Sequence, residues 1–296
     1  MAEYRVQDIS SWPLVFQESR GLDPKGWVAP PDVVTREQQS DWWLYKPIKK
    51  ASYRRFDDWS EKFSSELAAL LDLPAARVEL ARASTDAGII SHNVTPDGWT
   101  LESGDTMLSE VDGYVTCAGD DRLKNRLGHN LSNIAGVLVG AAGPPGTSCE
   151  DWPAFDVFVG YLVFDAWIAN TDRHAINWGL LTNKDDDRRA LAASFDHGSA
   201  LASGTQEDRL KSISVEEFAA RGFAGRFEDG AKQSLVDLAR RAEDMAERRA
   251  KEWRVRLAAV PEESVAAVLA NISEMSEARR TFLTRLLDIN RRRLQA

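Results

Sequence analysis

The period of hydrophobic and polar positions changes along the chain. Trp42 to Ile48 is a short apolar and aromatic run ending at Lys46-Pro47, which predicts a strand, because Pro47 cannot continue a central ladder. Asp57 to Leu71 switches to helical spacing: Trp59, Phe63, Leu67 and Leu70 recur on one face, Asp57, Asp58 and Ser60 are candidate caps, and Pro74 stops the run. Arg77 to Arg82 and Ala87 to Val94 read as strands, and the Asp97-Gly98 turn leads to a further strand at Trp99 to Glu102. Together these predict a small antiparallel sheet carrying one helix.

Later residues are mostly helical. Arg122 to Val139 has helical spacing, Gly143-Pro144-Pro145-Gly146 breaks the chain, and Phe155 to Ala169 is so apolar that it predicts a buried helix opening near Pro153. Trp178 to Thr182 and Ala190 to Phe195 read as two short strands joined by the polar turn Asn183 to Arg189. Beyond Ser214 the pattern predicts scaffold helices over Ala231 to Val260, Glu262 to Ile272 and Glu274 to Leu294. The basic run Arg291-Arg292-Arg293 reads as a solvated face and dipole complement on the last of these.

The 296 residues accommodate two modest lobes, and the change of pattern divides them into residues 1–114, β-rich, and 115–296, mostly helical. The expected class is α+β. A hydrophobic content of 43% with 28% charged residues excludes disordered and collagen-like chains. Thirty-seven basic against forty-six acidic residues leave a net charge of −9, which argues against non-specific binding to nucleic acid or an anionic membrane. Cys117 and Cys149 lie far apart, so neither a disulfide framework nor a zinc site is indicated. The stretch Met1 to Val15 lacks the make-up of a signal peptide, and runs such as Ile134 to Ala142 fall short of a membrane span. A protein of the reducing cytoplasm, with no membrane and no direct nucleic-acid partner, is the expectation.

The segment richest in chemistry is Asn170-Thr171-Asp172-Arg173-His174-Ala175-Ile176-Asn177, followed by Phe195-Asp196-His197-Gly198. Phosphoryl transfer from ATP needs a group that orients or deprotonates the accepting hydroxyl, and oxygen donors for the magnesium ions that bridge the phosphates. Asp172, Asn177 and Asp196 are residues of that chemistry. Asp172 and Asn177 are separated as are Asp and Asn in the protein-kinase loop H-R-D-x-x-x-x-N, and a strand-turn-strand then delivers Asp196 beside a glycine. His174 has two readings, an alternative proton acceptor or a hydrogen-bonding partner of the loop backbone, of which the second is preferred.

These residues resemble those of the HipA-like serine/threonine kinases, whose loop reads roughly T-D-x-H-x-x-N and whose metal-binding Asp follows a hairpin. Asp172-Arg173-His174-x-x-Asn177 is also similar to the D-R-H-x-x-N of phosphoinositide kinases. The resemblance implies a two-lobed kinase-like fold that binds ATP and Mg2+, with Asp172 catalytic and Asn177 and Asp196 as magnesium ligands. His197 stands where a D-F-G element has Phe. Period-two alternation places Lys46 on the face of Trp42 and Leu44, where its charge requires a partner. In the kinase plan a strand Lys holds phosphates and pairs with a helix Glu. Of Glu61 and Glu66, Glu61 is preferred, because Ser60-Glu61-Lys62-Phe63 ahead of Leu73-Pro74 resembles the N-E-x-F helix and L-G-L-P of HipA-like proteins.

Gly21-Leu22-Asp23-Pro24-Lys25 resembles the family's phosphate loop G-x-x-x-K, which adds Gly21 and Lys25 to the nucleotide-binding candidates; Ser19, near it, is not carried over as a phosphorylation site. Asp165 interrupts the apolar helix and either accepts hydrogen bonds from the catalytic-loop backbone or occupies an exposed helix position. Trp27, Trp42 and Trp43 read as core rather than ligand contacts. The resemblance runs from about Gly21 to Ser199. It implies a protein substrate and, as in HipA-type toxins, an antitoxin partner that nothing in the chain reveals. A lipid or small-molecule kinase and a pseudokinase-type binding module remain the alternatives.

Overall fold

The computed structural model describes residues 3–18, 25–33, 38–48, 55–117 and 123–296. Its first sheet is built from β1 (Gln7–Asp8), β2 (Leu14–Glu18), β3 (Lys25–Val28), β4 (Trp43–Pro47), β5 (Val78–Ala83) and β6 (Asp86–His92), with α1 (Asp57–Leu70) between β4 and β5 in the chain. The spatial order is β1-β5-β6-β4-β3-β2, antiparallel except where β1 lies parallel to β5. Lys46 on β4 stands opposite Ile89 and Leu44 opposite Ser91, so these side chains share one face, while Trp43 and Tyr45 point to the other with His92 and Ile90. Opposite Pro47 the chain needs a glycine, Gly88, because a Cβ there would lie 2.3 Å from the Lys46 carbonyl oxygen. The backbone of β6 thereby closes on the end of β4 that carries the lysine.

Helix α1 buries Trp59, Phe63 and Leu67 along one stripe. No side chain caps its start; Asp57 and Asp58 sit in the first turn, where they complement the helix dipole. Ser60, expected as a cap, instead turns its hydroxyl to the carbonyl oxygens of His197 (2.8 Å) and Ala200 (2.9 Å). Lys62 ties the helix to β5, donating to the Val78 carbonyl at 3.0 Å and to Glu79 at 2.8 Å.

The strand predicted from Trp99, expected in the same sheet, belongs elsewhere. As β7 (Trp99–Ser103) it pairs antiparallel with β8 (Gly179–Asn183), which pairs with β9 (Arg189–Leu191). Strand spacing alone carries no information about which strand lies alongside, and here the partner is about eighty positions downstream. Between β7 and β8 come α2 (Gly104–Leu108), α3 (Leu131–Val137) and α4 (Ala154–Ile168). Helix α3 is far shorter than the Arg122 to Val139 pattern predicts. Asn125 and Gly128 take φ of 51° and 79°, outside the right-handed helical region, and the Asn130 side chain caps the helix by accepting from the Asn133 N–H.

Helix α4 is the centre of the larger lobe and is buried on every side, as its apolar run predicts. Around it lie α5 (Glu207–Ser212), α6 (Val215–Ala220), α7 (Leu235–Met245), α8 (Lys251–Ala259), α9 (Glu262–Ala270) and α10 (Glu277–Gln295). The single helical pattern over Ala231 to Val260 is broken after Met245. Asp156 of α4, fully buried, draws the backbone N–H groups of Glu247, Arg248 and Arg249 onto its carboxylate at 3.1, 3.1 and 2.7 Å, and the chain leaves helical geometry to reach them. Gly160, one turn further along α4, makes room for Trp253, whose ring would lie 2.4 Å from a Cβ at that position. The terminal arginine run serves other helices: Arg291 donates to the Ala258 carbonyl and Arg293 to that of Ala219, at the last turns of α8 and α6.

The Asp156 junction has a measurable consequence. Asp156→Ala leaves three backbone donors without their acceptor and lowers unfolding free energy by about 3 kcal/mol or more in urea titrations. Asp156→Asn, which keeps one acceptor oxygen, loses less.

Candidate active site

Three elements bring charged groups together where the two sheets and α1 meet. Lys46, at the end of β4, donates from Nζ to Glu61 Oε1 at 2.8 Å and to Asp196 Oδ1 at 2.7 Å. Glu61 Oε2 in turn accepts the backbone N–H of His197 at 3.1 Å, so one carboxylate of α1 holds both the lysine and the segment carrying Asp196. Glu66, the other helix carboxylate considered, pairs with Lys62 at 2.6 Å and not with Lys46.

Charge governs this cluster. Burial alone would lower the Lys46 pKa, but the attraction of Asp196 and Glu61 outweighs it and carries the ammonium above its ordinary value. Asp196 is held below the usual carboxylate range by Lys46, and Lys25, at the start of β3, contributes to the same field. Glu61 is pushed up, first by burial and then, against the pull of Lys46, by repulsion from Asp196. One ammonium thus faces two carboxylates. Asp196 adopts φ of 62°, a left-handed conformation that Asp tolerates better than most residues, and its side chain remains 41% exposed.

The loop from Asn170 to Asn177 leaves α4 through Ala169, whose φ of 55° ends the helix. Asp165 is buried in α4, and its partners are side chains rather than the loop backbone. Arg173 donates to both its oxygens, at 2.7 and 2.8 Å, and the Asn170 amide donates at 2.8 Å. Arg173 also donates to the Asn177 carbonyl at 2.7 Å and to Ser194 Oγ at 2.9 Å. The reading of Asp165 as an exposed helix position is therefore excluded, since its relative exposure is 1%.

Within that loop the Asn177 amide donates to the Asp172 carbonyl at 3.0 Å, closing the turn between them. His174 donates its backbone N–H to the same carbonyl at 2.8 Å, and its Nδ1 accepts the Ile176 N–H at 3.3 Å. The Asp172 carboxylate accepts from Arg226 Nε at 2.7 Å through Oδ1 and from Ser199 Oγ at 3.2 Å through Oδ2. Ser199 lies three positions beyond Asp196, so Asp172 is tied to the segment that meets Lys46.

His197, in the Phe position of the D-F-G pattern, is buried edge-on against Phe164 with ring centroids 5.5 Å apart. Its Nε2 lies 2.8 Å from Ser194 Oγ, and burial followed by the charge of Arg173 holds its pKa well below the ordinary value. It acts as a neutral ring that also accepts a hydrogen bond. Trp43 is core on the opposite face of the sheet, under the Arg77 guanidinium at 4.6 Å, whereas Trp27 and Trp42 pack with Phe16. Gly21 and Ser19 lie outside the described residues.

The donor types fit a hard divalent cation. Asp196 offers carboxylate oxygen, and commitment of the Asn177 amide nitrogen to the Asp172 carbonyl leaves its amide oxygen as the group available for a cation. Among the described residues there is no cluster of three or more His, Cys, Asp or Glu placed to hold a metal by itself. Magnesium is commonly held by one or two carboxylates together with substrate phosphates.

Nothing in the sequence pattern marks Arg226, Ser199 or His129, and Arg173, though part of the Asp172–Asn177 motif, carries no foreseen role. Arg226 is fifty-four positions from Asp172 with no motif of its own. His129 underlies it. The Trp178 indole can only donate, so its 3.3 Å bond makes His129 Nε2 an acceptor and places the ring proton on Nδ1, which donates to the Arg226 carbonyl at 3.1 Å.

Comparison with solved structures places this architecture. A Helicobacter pylori proinflammatory kinase, CtkA, aligns over 98% of this chain and 95% of its own, with a TM-score of 0.68 at 15% identity. HipA from a toxin–antitoxin complex of HipA, HipB and operator DNA of Shewanella oneidensis MR-1 aligns over 96% of this chain and 66% of its own, with a TM-score of 0.50 at 12% identity. No protein-family model matches the sequence, and no curated protein matches it. At these identities the shared property is the fold: the chain has a two-lobed α+β, HipA-like kinase fold. No helix among the described residues is long and apolar enough to cross a membrane.

Burial lowers the pKa of His129 from 6.5 to about 4. An unfolded His129 takes up its proton near 6.5, whereas the folded ring stays neutral until about pH 4, so acid favours unfolding across that interval. Unfolding free energy falls by up to about 3 kcal/mol from this residue between neutrality and pH 4. In urea titrations at stepped pH, His129→Gln has a shallower slope over that window than wild type.

Proposed function

We propose that this protein is a kinase that transfers the γ-phosphoryl group of ATP to a Ser or Thr hydroxyl of a protein. The observation that carries the reading is the placement of Lys46, Glu61 and Asp196 in one contact, with Asp172 linked to it through Ser199. In this reading residues 1–114 deliver the groups that face the nucleotide, Lys25, Lys46 and Glu61, and residues 115–296 deliver Asp172, His174, Asn177 and Asp196.

Lys46 binds phosphate oxygens as a point charge, and Glu61 holds its ammonium on the nucleotide side of the sheet. Asp196 and Asn177 would hold Mg2+, which would supply positive charge against the phosphates. Asp172 orients the acceptor hydroxyl and takes its proton as the new ester bond forms. His174 supports that carboxylate through the loop backbone, because its Nδ1 and its N–H are both engaged there. The kinase fold favours phosphotransfer over a binding-only role. The choice of a protein acceptor over a lipid is favoured by the net charge of −9, which repels anionic headgroups.

Intact mass and ADP release, measured with magnesium and ATP, test the reading, with dephosphorylated casein and phosphatidylinositol vesicles as alternative acceptors. Wild type labels itself or casein, and Asp172→Asn loses about 10²–10⁴-fold in rate while retaining ATP binding. Lys46→Ala leaves Glu61 and Asp196 facing each other without a cation and loses both ATP affinity and transfer. Wild-type rates in both variants overturn the site, and preferential labelling of the vesicles overturns the acceptor.

A further inference from the structure

We infer that Arg226 is a positioning residue for Asp172, fixing one carboxylate oxygen so that the other faces the acceptor hydroxyl. The inference rests on the phosphotransfer reading above and deepens it.

The two oxygens of Asp172 are held unequally. Oδ1 accepts a charge-assisted bond from Arg226 Nε at 2.7 Å, within a part-buried ion pair. Among the described residues Oδ2 accepts only the Ser199 hydroxyl at 3.2 Å, longer than an ordinary O–H···O bond, from a serine that is exposed. An incoming hydroxyl displaces that contact at little cost, whereas displacing the guanidinium would break an ion pair. Ser199 therefore marks where the acceptor oxygen enters.

The loop that presents Arg226 is braced from several directions. The Arg226 carbonyl accepts from His129 Nδ1, and Phe227 stacks on the His129 ring with centroids 4.5 Å apart. Glu228 accepts from the Asn130 amide at 2.6 Å and from the Gly128 N–H at 3.1 Å. The Asn125 N–H donates to the Gly225 carbonyl at 2.9 Å, and Gly230 is pressed so closely on Ala224 that a Cβ would lie 1.8 Å from its carbonyl oxygen. A residue needed only for solubility would not require such support. The bracing segment, Asn125 to Asn130, is the one that departs from the predicted helix.

In the step this serves, the acceptor oxygen forms its bond to the γ-phosphorus as the bond to the β-phosphate oxygen breaks. ADP leaves with that electron pair, and the acceptor's proton passes to Asp172 Oδ2. Arg226 touches neither phosphate nor acceptor in this scheme; it sets the angle at which Asp172 meets the hydroxyl.

The test compares wild type, Arg226→Ala, Arg226→Lys and Asp172→Asn, all confirmed folded by thermal melting, with dephosphorylated casein and self-labelling as readouts. Arg226→Ala lowers kcat by about a hundredfold, the loss expected of a misplaced reacting group, with little change in KM for ATP. Arg226→Lys retains part of the rate. Added guanidinium ion at sub-denaturing concentration restores part of the Arg226→Ala rate and none of the Asp172→Asn rate. In protein carrying 13C at its aspartate carboxyls, the resonance missing from Asp172→Asn shifts in Arg226→Ala without any nucleotide present.

Equal rates in Arg226→Ala and wild type overturn the proposal, as does a faster variant, which would make the ion pair a latch on Asp172. Loss confined to ATP affinity also overturns it by placing Arg226 on the phosphates. A wild type that transfers no phosphate removes the phosphotransfer reading and this proposal with it, whereas an active wild type matched by the variant removes this proposal alone.

Discussion

The buried pair of Arg173 and Asp165 is the interaction on which the rest of the site depends. Both side chains are 1% exposed, and the guanidinium reaches both oxygens of the carboxylate, the Asn177 carbonyl and Ser194. It thus pins the two ends of the 173–177 turn and the start of the Asp196 segment to α4. Either partner alone would be an uncompensated buried charge, a state that costs about 3–5 kcal/mol, so the two persist together or not at all. The same reasoning accounts for His197. A phenylalanine there would fill the volume beside Phe164 but would leave Ser194 Oγ without the ring nitrogen that lies 2.8 Å from it.

The second constraint is an imbalance of charge. Glu61 and Asp196 share a single ammonium, and the arrangement holds because Glu61 is also satisfied by the His197 N–H while Asp196 keeps contact with solvent. A part-exposed carboxylate beside the Lys46 ammonium is a donor of the kind that suits a divalent cation accompanied by phosphates. Structural support and chemical readiness come from the same few groups: Ser60 and Glu61 on α1 fasten the backbone from His197 to Ala200, which carries Ser199 to Asp172.

Where local pattern and structure agree, the pattern recorded burial. The unbroken apolar run of α4 could only be an interior helix, and the stripe of Trp59, Phe63 and Leu67 could only face a core. Where they diverge, a distant group intervened. Asp156 breaks the Ala231 to Val260 pattern by drawing three N–H groups to α4. Arg126, which reaches the Val115 and Thr116 carbonyls, lies in the stretch that replaces the first turns of the predicted helix before α3. Strand β7 reads as a strand from either sheet, and nothing in its alternation says that β8 is its partner.

The sequence by itself determined the spacing of Asp172 and Asn177, the order in which Asp196 follows, the preference for Glu61 over Glu66, and the class of fold. The spacing, the order and the α+β class follow from short-range rules of turns and periodicity, whereas the preference for Glu61 came from the resemblance of Ser60-Glu61-Lys62-Phe63 ahead of Leu73-Pro74 to HipA-like proteins. Only the tertiary structure decided that Arg226 and Ser199 divide the oxygens of Asp172, that Arg173 rather than the loop backbone meets Asp165, and that His129 fixes the carbonyl beneath Arg226. Those contacts join residues from 8 to 97 positions apart. A charge or ring nitrogen met through space leaves no periodic mark in the chain that supplies it.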